Sequence, residues 1–159
     1  FFFATNLLMD KARAAFAGDR TVQILQLAQR YGSLSNTHDL KGIGCLIAET
    51  AEIYGFAGKP AILHGMADFR RRFPKVWWRF GEFKPLDQDR VSFDFERYWT
   101  DAETGRVRMC TAEEVIAFGV DNLIVGITYS TLPSAPQDAA YPQEAAPVDF
   151  DPTTLGSLD

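Results

Sequence analysis

The chain has 159 residues, a formal net charge of −5 and a pI near 5.0, with 47% hydrophobic and 23% charged residues. That length suits one domain with a real core, and the acidic balance excludes a phosphate-backbone binder, which needs surplus Lys and Arg on one face. No apolar run reaches the ~18 residues of a spanning helix, and Cys45 and Cys110 lack the spacing of a zinc site or disulfide framework. Two buried, reduced thiols, no metal and no cofactor are expected.

Residues 4–17 are Ala-rich, with Leu7, Leu8, Met9 and Ala12 favouring one side of a helix that Gly18 and Asp19 should stop. A second helix follows, with Val22, Ile24, Leu25, Ala28 and Tyr31 near one stripe at 3.6 spacing. Residues 36–39, NTHD, form a polar break in which Asp39 is a good N-cap for a helix over 40–50. Gly42 and Gly44 would each cost that helix ~1 kcal/mol relative to Ala, so close packing is their expected use. AEIYGF, 51–56, predicts a short strand, and residues 61–73 a helix that ends before Pro74. Arg70, Arg71 and Arg72 fall at its end, where a solvated cluster is expected.

From Pro74 the period changes from helical to alternating. KVWWRFGEF, RVSFDFERYW, RVRMCTAEEVIAF and NLIVGITYS predict four strands, with DAETGR and GVDN as turns between them. In the second, Val91, Phe93, Phe95, Arg97 and Trp99 share one face, expected to be buried, while Ser92, Asp94, Glu96 and Tyr98 share a wet one. Helices followed by consecutive antiparallel strands make an α+β layer fold. After Ser130 the chain is rich in Pro, Ala and acids and has no Lys or Arg, which predicts an extended acidic tail unable to fold alone.

RYGSLSNTHDLKGIGCLIAETAEIYGF, ILHGMADFRRRFP and EEVIAFGVDNLIVGITYS, in this order, resemble the nuclear-transport-factor-2-like superfamily, also called SnoaL-like. The resemblance covers about residues 20–131. It implies three helices packed on a strongly curved, mainly antiparallel sheet, a cystatin-like cone, here with an extra N-terminal helix at 1–19 and a tail at 132–159. Because the superfamily holds isomerases, dehydratases, cyclases, hydrolases and non-catalytic subunits, it does not by itself settle function. The steroid-isomerase branch uses a helix-one Tyr and a strand acid as oxyanion donors and a carboxylate base at the end of strand one. Matched by motif, these positions are Tyr31, Glu114 and Gly55, and glycine has no side chain to accept a proton.

The expected ligand-binding set is Tyr31, Tyr54, Trp78, Phe93, Phe95, Arg97, Trp99 and Glu114, with His64 or Asp68 near the mouth. If the chain is an enzyme, Tyr31, Glu114 and His64 carry it. A guanidinium on the apolar face of a strand needs a partner; for Arg97 this is Glu114 or Glu113, and the pair either binds an anionic or carbonyl ligand or fixes the sheet. No nucleophile–base pair, phosphate loop or metal-ligand spacing occurs. The first expectation is therefore a non-catalytic accessory subunit of a larger assembly, meeting other subunits through the N-terminal helix and the tail, with homodimerisation through the sheet face open. A start at Phe1 rather than Met would suit an organellar subunit, of plastid or mitochondrion, after import. The alternative is an isomerase, cyclase or dehydratase acting on a small apolar carbonyl compound.

Overall fold

The computed structural model describes residues 2–155, and its first element already departs from expectation. A single helix α1 runs over Phe2–Asn36 without a break at Gly18. A lone glycine costs a helix about 1 kcal/mol, too little to stop one that meets no proline and keeps helical sequence on both sides. The stripe Ile24, Ala28, Tyr31 and Ser35 is buried, whereas Leu7, Leu8 and Met9 are exposed, so the second half of α1 packs on the body. Arg20 pins that half in place by donating to the backbone oxygens of Gln88 and Gly119 and to the side chains of Asp89 and Asn122.

Asp39 caps α2 (Leu40–Leu46), its carboxylate accepting from the Gly42 N–H at 2.9 Å. The helix is shorter than predicted because Ile47 turns extended, at φ −104° and ψ 136°, and opens strand β1 (Ile47–Ile53). Burying Ile47, Ala51 and Ile53 against the sheet wins over continuing a glycine-weakened helix. After the two-residue strand β2 (Phe56–Ala57), helix α3 (Lys59–Arg72) buries Ile62, Leu63, Met66, Ala67 and Arg70. The arginine cluster is thus not wholly solvated: Arg70 is 5% exposed, whereas Arg71 and Arg72 face out.

The predicted strands follow as β3 (Trp77–Phe80), a two-residue β4 (Lys84–Pro85), β5 (Arg90–Thr100), β6 (Val107–Phe118) and β7 (Ile124–Thr131). The order β2-β1-β7-β6-β5-β3 is antiparallel except for the parallel pair of β1 and β7, so the curved sheet is mixed. Val91, Phe93, Phe95, Arg97 and Trp99 are buried, as the alternation predicts. On the opposite face Tyr98 is buried too, contrary to expectation, between Trp77 and Tyr141. Cys45 is likewise exposed rather than buried, while Cys110 is buried.

The tail lies along its own body. Strand β8 (Gln137–Asp138) pairs with β6, the Tyr141 hydroxyl donates to the Lys75 carbonyl at 2.8 Å, and Glu144 meets Arg79 at 2.8 Å. The Val148 carbonyl accepts from His38 Nε2 at 2.8 Å, and the short helix Pro152–Leu155 drops Leu155 into the core. Among the described residues no helix is long and apolar enough to cross a membrane, and no cluster of His, Cys, Asp and Glu could hold a metal.

Candidate functional site

The sheet and α3 do not close on each other. Between them lies a cavity of about 730 Å³, large enough for a small molecule of several rings. Its aromatic wall comes from Trp78 and Phe80 of β3 and from Phe93 and Phe95 of β5, while α3 supplies Ile62, Met66 and Phe69. Gly65 opens the mouth, since a Cβ there would stand 2.7 Å from the Phe56 ring.

Its central polar group is Glu114, on the inward face of β6 beside a register shift and 3% exposed. The Tyr54 hydroxyl donates to its Oε2 at 2.7 Å, and its other oxygen has no hydrogen-bond partner among the described residues. Burial pushes the Glu114 carboxyl up to about 7, while the Tyr54 hydrogen bond and the Arg97 charge hold it from rising further. Tyr31 reaches the same place from α1, its phenol pushed up to about 12 by burial and by Glu114, with Tyr54 and Arg70 partly offsetting this. Tyr54 is raised well above its ordinary value and Tyr129 is raised too, each chiefly by burial and then by Glu114. One carboxyl poised near neutrality is therefore ringed by three phenols that remain protonated donors.

Tyr54 arrives there because of the hairpin between β1 and β2. Ile53 pairs with Phe56, and the two loop residues, Tyr54 and Gly55, take φ of 52° and 84°, the left-handed pair of a type I′ turn. Gly55 has nothing within 4 Å of a built Cβ. The glycine matched to the base position is thus a turn residue, and its neighbour holds the cavity carboxyl.

Of the eight expected ligand-binding residues, the structure brings Tyr31, Tyr54, Trp78, Phe93, Phe95, Arg97 and Glu114 to this cavity. Trp99 is set apart, packed with Val76 and Cys110 behind the wall. His64 stands on the exposed side of α3 and does not line the cavity, whereas Asp68 does, beside Arg71. The anticipated partnership of Arg97 with Glu114 or Glu113 does not form: Glu113 faces out and accepts from Thr131, and Arg97 lies over the rings of Phe69, Phe73 and Trp99.

Arg70 is the residue that sequence reasoning missed. Its Nε donates to His38 Nδ1 at 3.0 Å and its Nη2 to the Ser35 carbonyl at 3.0 Å, with Trp78 under the guanidinium at 5.2 Å. Burial lowers its pKa to about 10, so it remains a cation. His38 accepts from Arg70 and donates to Val148, and burial first, then the Arg70 charge, keeps it neutral. The spacing Ile62, Met66, Arg70 on one helical face was the available signal.

No protein-family model and no curated protein matches this sequence. Solved structures do. A Mycobacterium tuberculosis protein in complex with estradiol-17beta-hemisuccinate aligns over 68% of this chain and 92% of its own, at 16% identity and a TM-score of 0.59. The Delta 5-3-ketosteroid isomerase of Mycobacterium sp. aligns over 67% and 91%, at 13% and 0.57. The fold is nuclear-transport-factor-2-like. A computationally designed 17-OHP binder shares this nuclear-transport-factor-2-like cone over 74% of the chain and 97% of its own, at 15% identity and 0.61. The expected role as a non-catalytic accessory subunit is corrected here. Solved neighbours of the fold are named as a ketosteroid isomerase, an epoxide hydrolase/cyclase-like enzyme and a 17-OHP binder, the cone encloses an open cavity, and the tail that suggested a partner is held by the chain's own residues.

Proposed function

We propose that this chain is a SnoaL-like enzyme that acts on a small apolar carbonyl compound by moving a proton at Glu114. The observation that carries this is a single deeply buried carboxyl, with a pKa near 7 and one unpartnered oxygen, facing an aromatic cavity of about 730 Å³. General acid–base catalysis works best when the pKa lies near the ambient pH, and a buried Glu reaches that value through desolvation.

The substrate's rings lie against Phe80, Phe93 and Phe95, and its carbonyl oxygen accepts from the Tyr31 hydroxyl, which stays protonated because its pKa is about 12. Ionised Glu114 takes a proton from the carbon next to the carbonyl, and the electron pair moves onto the oxygen held by Tyr31. Tyr54 keeps the carboxyl oriented throughout. Return of the proton to a different carbon is isomerisation; attack of the enolate on a second carbonyl is cyclisation; loss of a β-hydroxyl is dehydration. The names of the solved neighbours, a ketosteroid isomerase and an epoxide hydrolase/cyclase-like enzyme, support this chemistry.

The test is α-proton exchange into a bicyclic aryl ketone, α-tetralone, in D2O followed by NMR. Wild type should accelerate exchange over buffer, and Glu114→Gln should remove about a hundredfold or more of the acceleration. Equal rates for the two proteins would reject Glu114 as the acid–base group. A ligand binder without turnover is the second reading, favoured by Gly55 standing where the steroid-isomerase branch keeps its carboxylate; it predicts ketone binding with no exchange.

A further inference from the structure

Arg97 is 8% exposed, lines the cavity, and lies against three rings with Cys110 and Tyr129 beside it. Its guanidinium carbon lies 4.9 Å from the Phe69 centroid, 5.6 Å from Phe73 and 5.9 Å from Trp99. Stacking fixes the plane of a guanidinium but leaves its N–H donors needing acceptors. Nε has no hydrogen-bond partner, and Arg97 forms no ion pair, among the described residues. The polar side chains beside it, Cys110 and Tyr129, are kept protonated by burial and bring no counter-charge.

Arg70, on the opposite wall, is in the same electrostatic position. Its acceptors are His38 Nδ1 and the carbonyls of Ser35 and Met66, all neutral. Two buried arginines, 70 and 97, thus face one buried carboxyl, Glu114, while Arg71 and Asp68 pair with each other at the exposed mouth. In a chain whose net charge is −5, that excess of buried cations is a local inversion of sign. Buried cations without counter-ions are costly, and a ligand's own negative charge removes that cost.

We infer that the natural ligand is an apolar keto acid whose carboxylate seats on the Arg97 guanidinium where it lines the cavity. This rests on the carbonyl-compound reading above and adds to it a second polar end. Arg97 is opposite Cys110 and Glu114 is opposite Phe93, so the two groups enter the cavity from points four residues apart along the sheet, close enough for the Arg97 charge to act on the Glu114 carboxyl. The ligand spans that distance with apolar surface, its carbonyl at Tyr31 and Glu114 and its carboxylate at Arg97. A planar carboxylate suits the forked donors of a guanidinium that is already held flat by rings.

Isothermal titration of the whole chain with two isosteric probes, naphthoate and methyl naphthyl ketone, tests this. Wild type should bind naphthoate at least about tenfold more tightly than the ketone. Arg97→Met, which keeps the apolar stem, should abolish that preference by lowering the naphthoate affinity. Arg97→Lys, which keeps the charge but loses the Nε donor, should lose about threefold in naphthoate affinity and serves should the Met variant not fold. A wild-type preference for the ketone, a naphthoate preference that survives in Arg97→Met, or a naphthoate affinity that Arg97→Lys leaves unchanged, would overturn the inference and leave the carbonyl site standing. Binding of neither probe would overturn both.

Discussion

Replacing Glu114 by Gln keeps the shape of the side chain and removes its charge, and the structure gives the outcome a sign that a purely structural glutamate would not have. A carboxyl whose folded pKa exceeds its unfolded value binds its proton more tightly when folded. Its contribution to stability is therefore full below the unfolded value of 4.5 and is lost as the pH rises through about 7. The shift corresponds to roughly 3 kcal/mol of penalty for wild type above neutrality. Gln escapes that penalty, and the value of about 7 already includes the Tyr54 hydrogen bond. The variant should thus be about 3 kcal/mol more stable than wild type at about pH 8.5, or roughly 6–12 °C in Tm, and within about 1 kcal/mol of wild type at about pH 5. Thermal unfolding followed by circular dichroism at both pH values measures this. A Gln variant that is less stable than wild type at the higher pH, or a difference that does not change with pH, would refute the placement of an uncompensated carboxyl in the cavity.

Tyr54→Phe removes the hydrogen bond that holds the Glu114 pKa down, so the Glu114 titration and the rising limb of a pH–rate profile should move up by about one unit; a downward move contradicts the geometry. His38→Ala strips Arg70 Nε of its acceptor and Val148 of its donor. Leaving a buried guanidinium N–H unpaired should cost about 2 kcal/mol in urea unfolding, and a change within about 0.5 kcal/mol would show that the tail and α3 are not joined through this ring.

Much of this architecture was legible in the residues. The alternation of Val91, Phe93, Phe95, Arg97 and Trp99 gave β5 its buried face, Asp39 capped the helix it was expected to cap, and Tyr31 and Glu114 meet in one cavity. What escaped were features decided by tertiary contact. Gly18 and Asp19 look like a stop, but among the described residues no tertiary contact demands a turn there. Ile47 continues an apparently helical run, yet pairing opposite Ile124 draws it into the sheet. The tail was read as needing a partner because its composition forms no core, and composition says nothing of a single Leu155 or a Val148 carbonyl finding sites on the body. Gly55 stands where a base is expected, whereas its role depends on the left-handed φ of two residues, through which Tyr54 rather than Gly55 meets the cavity. Arg70 was hidden in a basic triplet because periodicity, not charge, separates it from Arg71 and Arg72.

The pH profile of α-proton exchange into α-tetralone tests the central claim most directly. If Glu114 is the proton-transfer group, the wild-type rate above buffer should rise with pH through an apparent pKa near 7 and then level, as the carboxyl becomes the base, and Glu114→Gln should show no such rise. A wild-type profile that is flat through neutrality, or one that Glu114→Gln reproduces, would contradict the account.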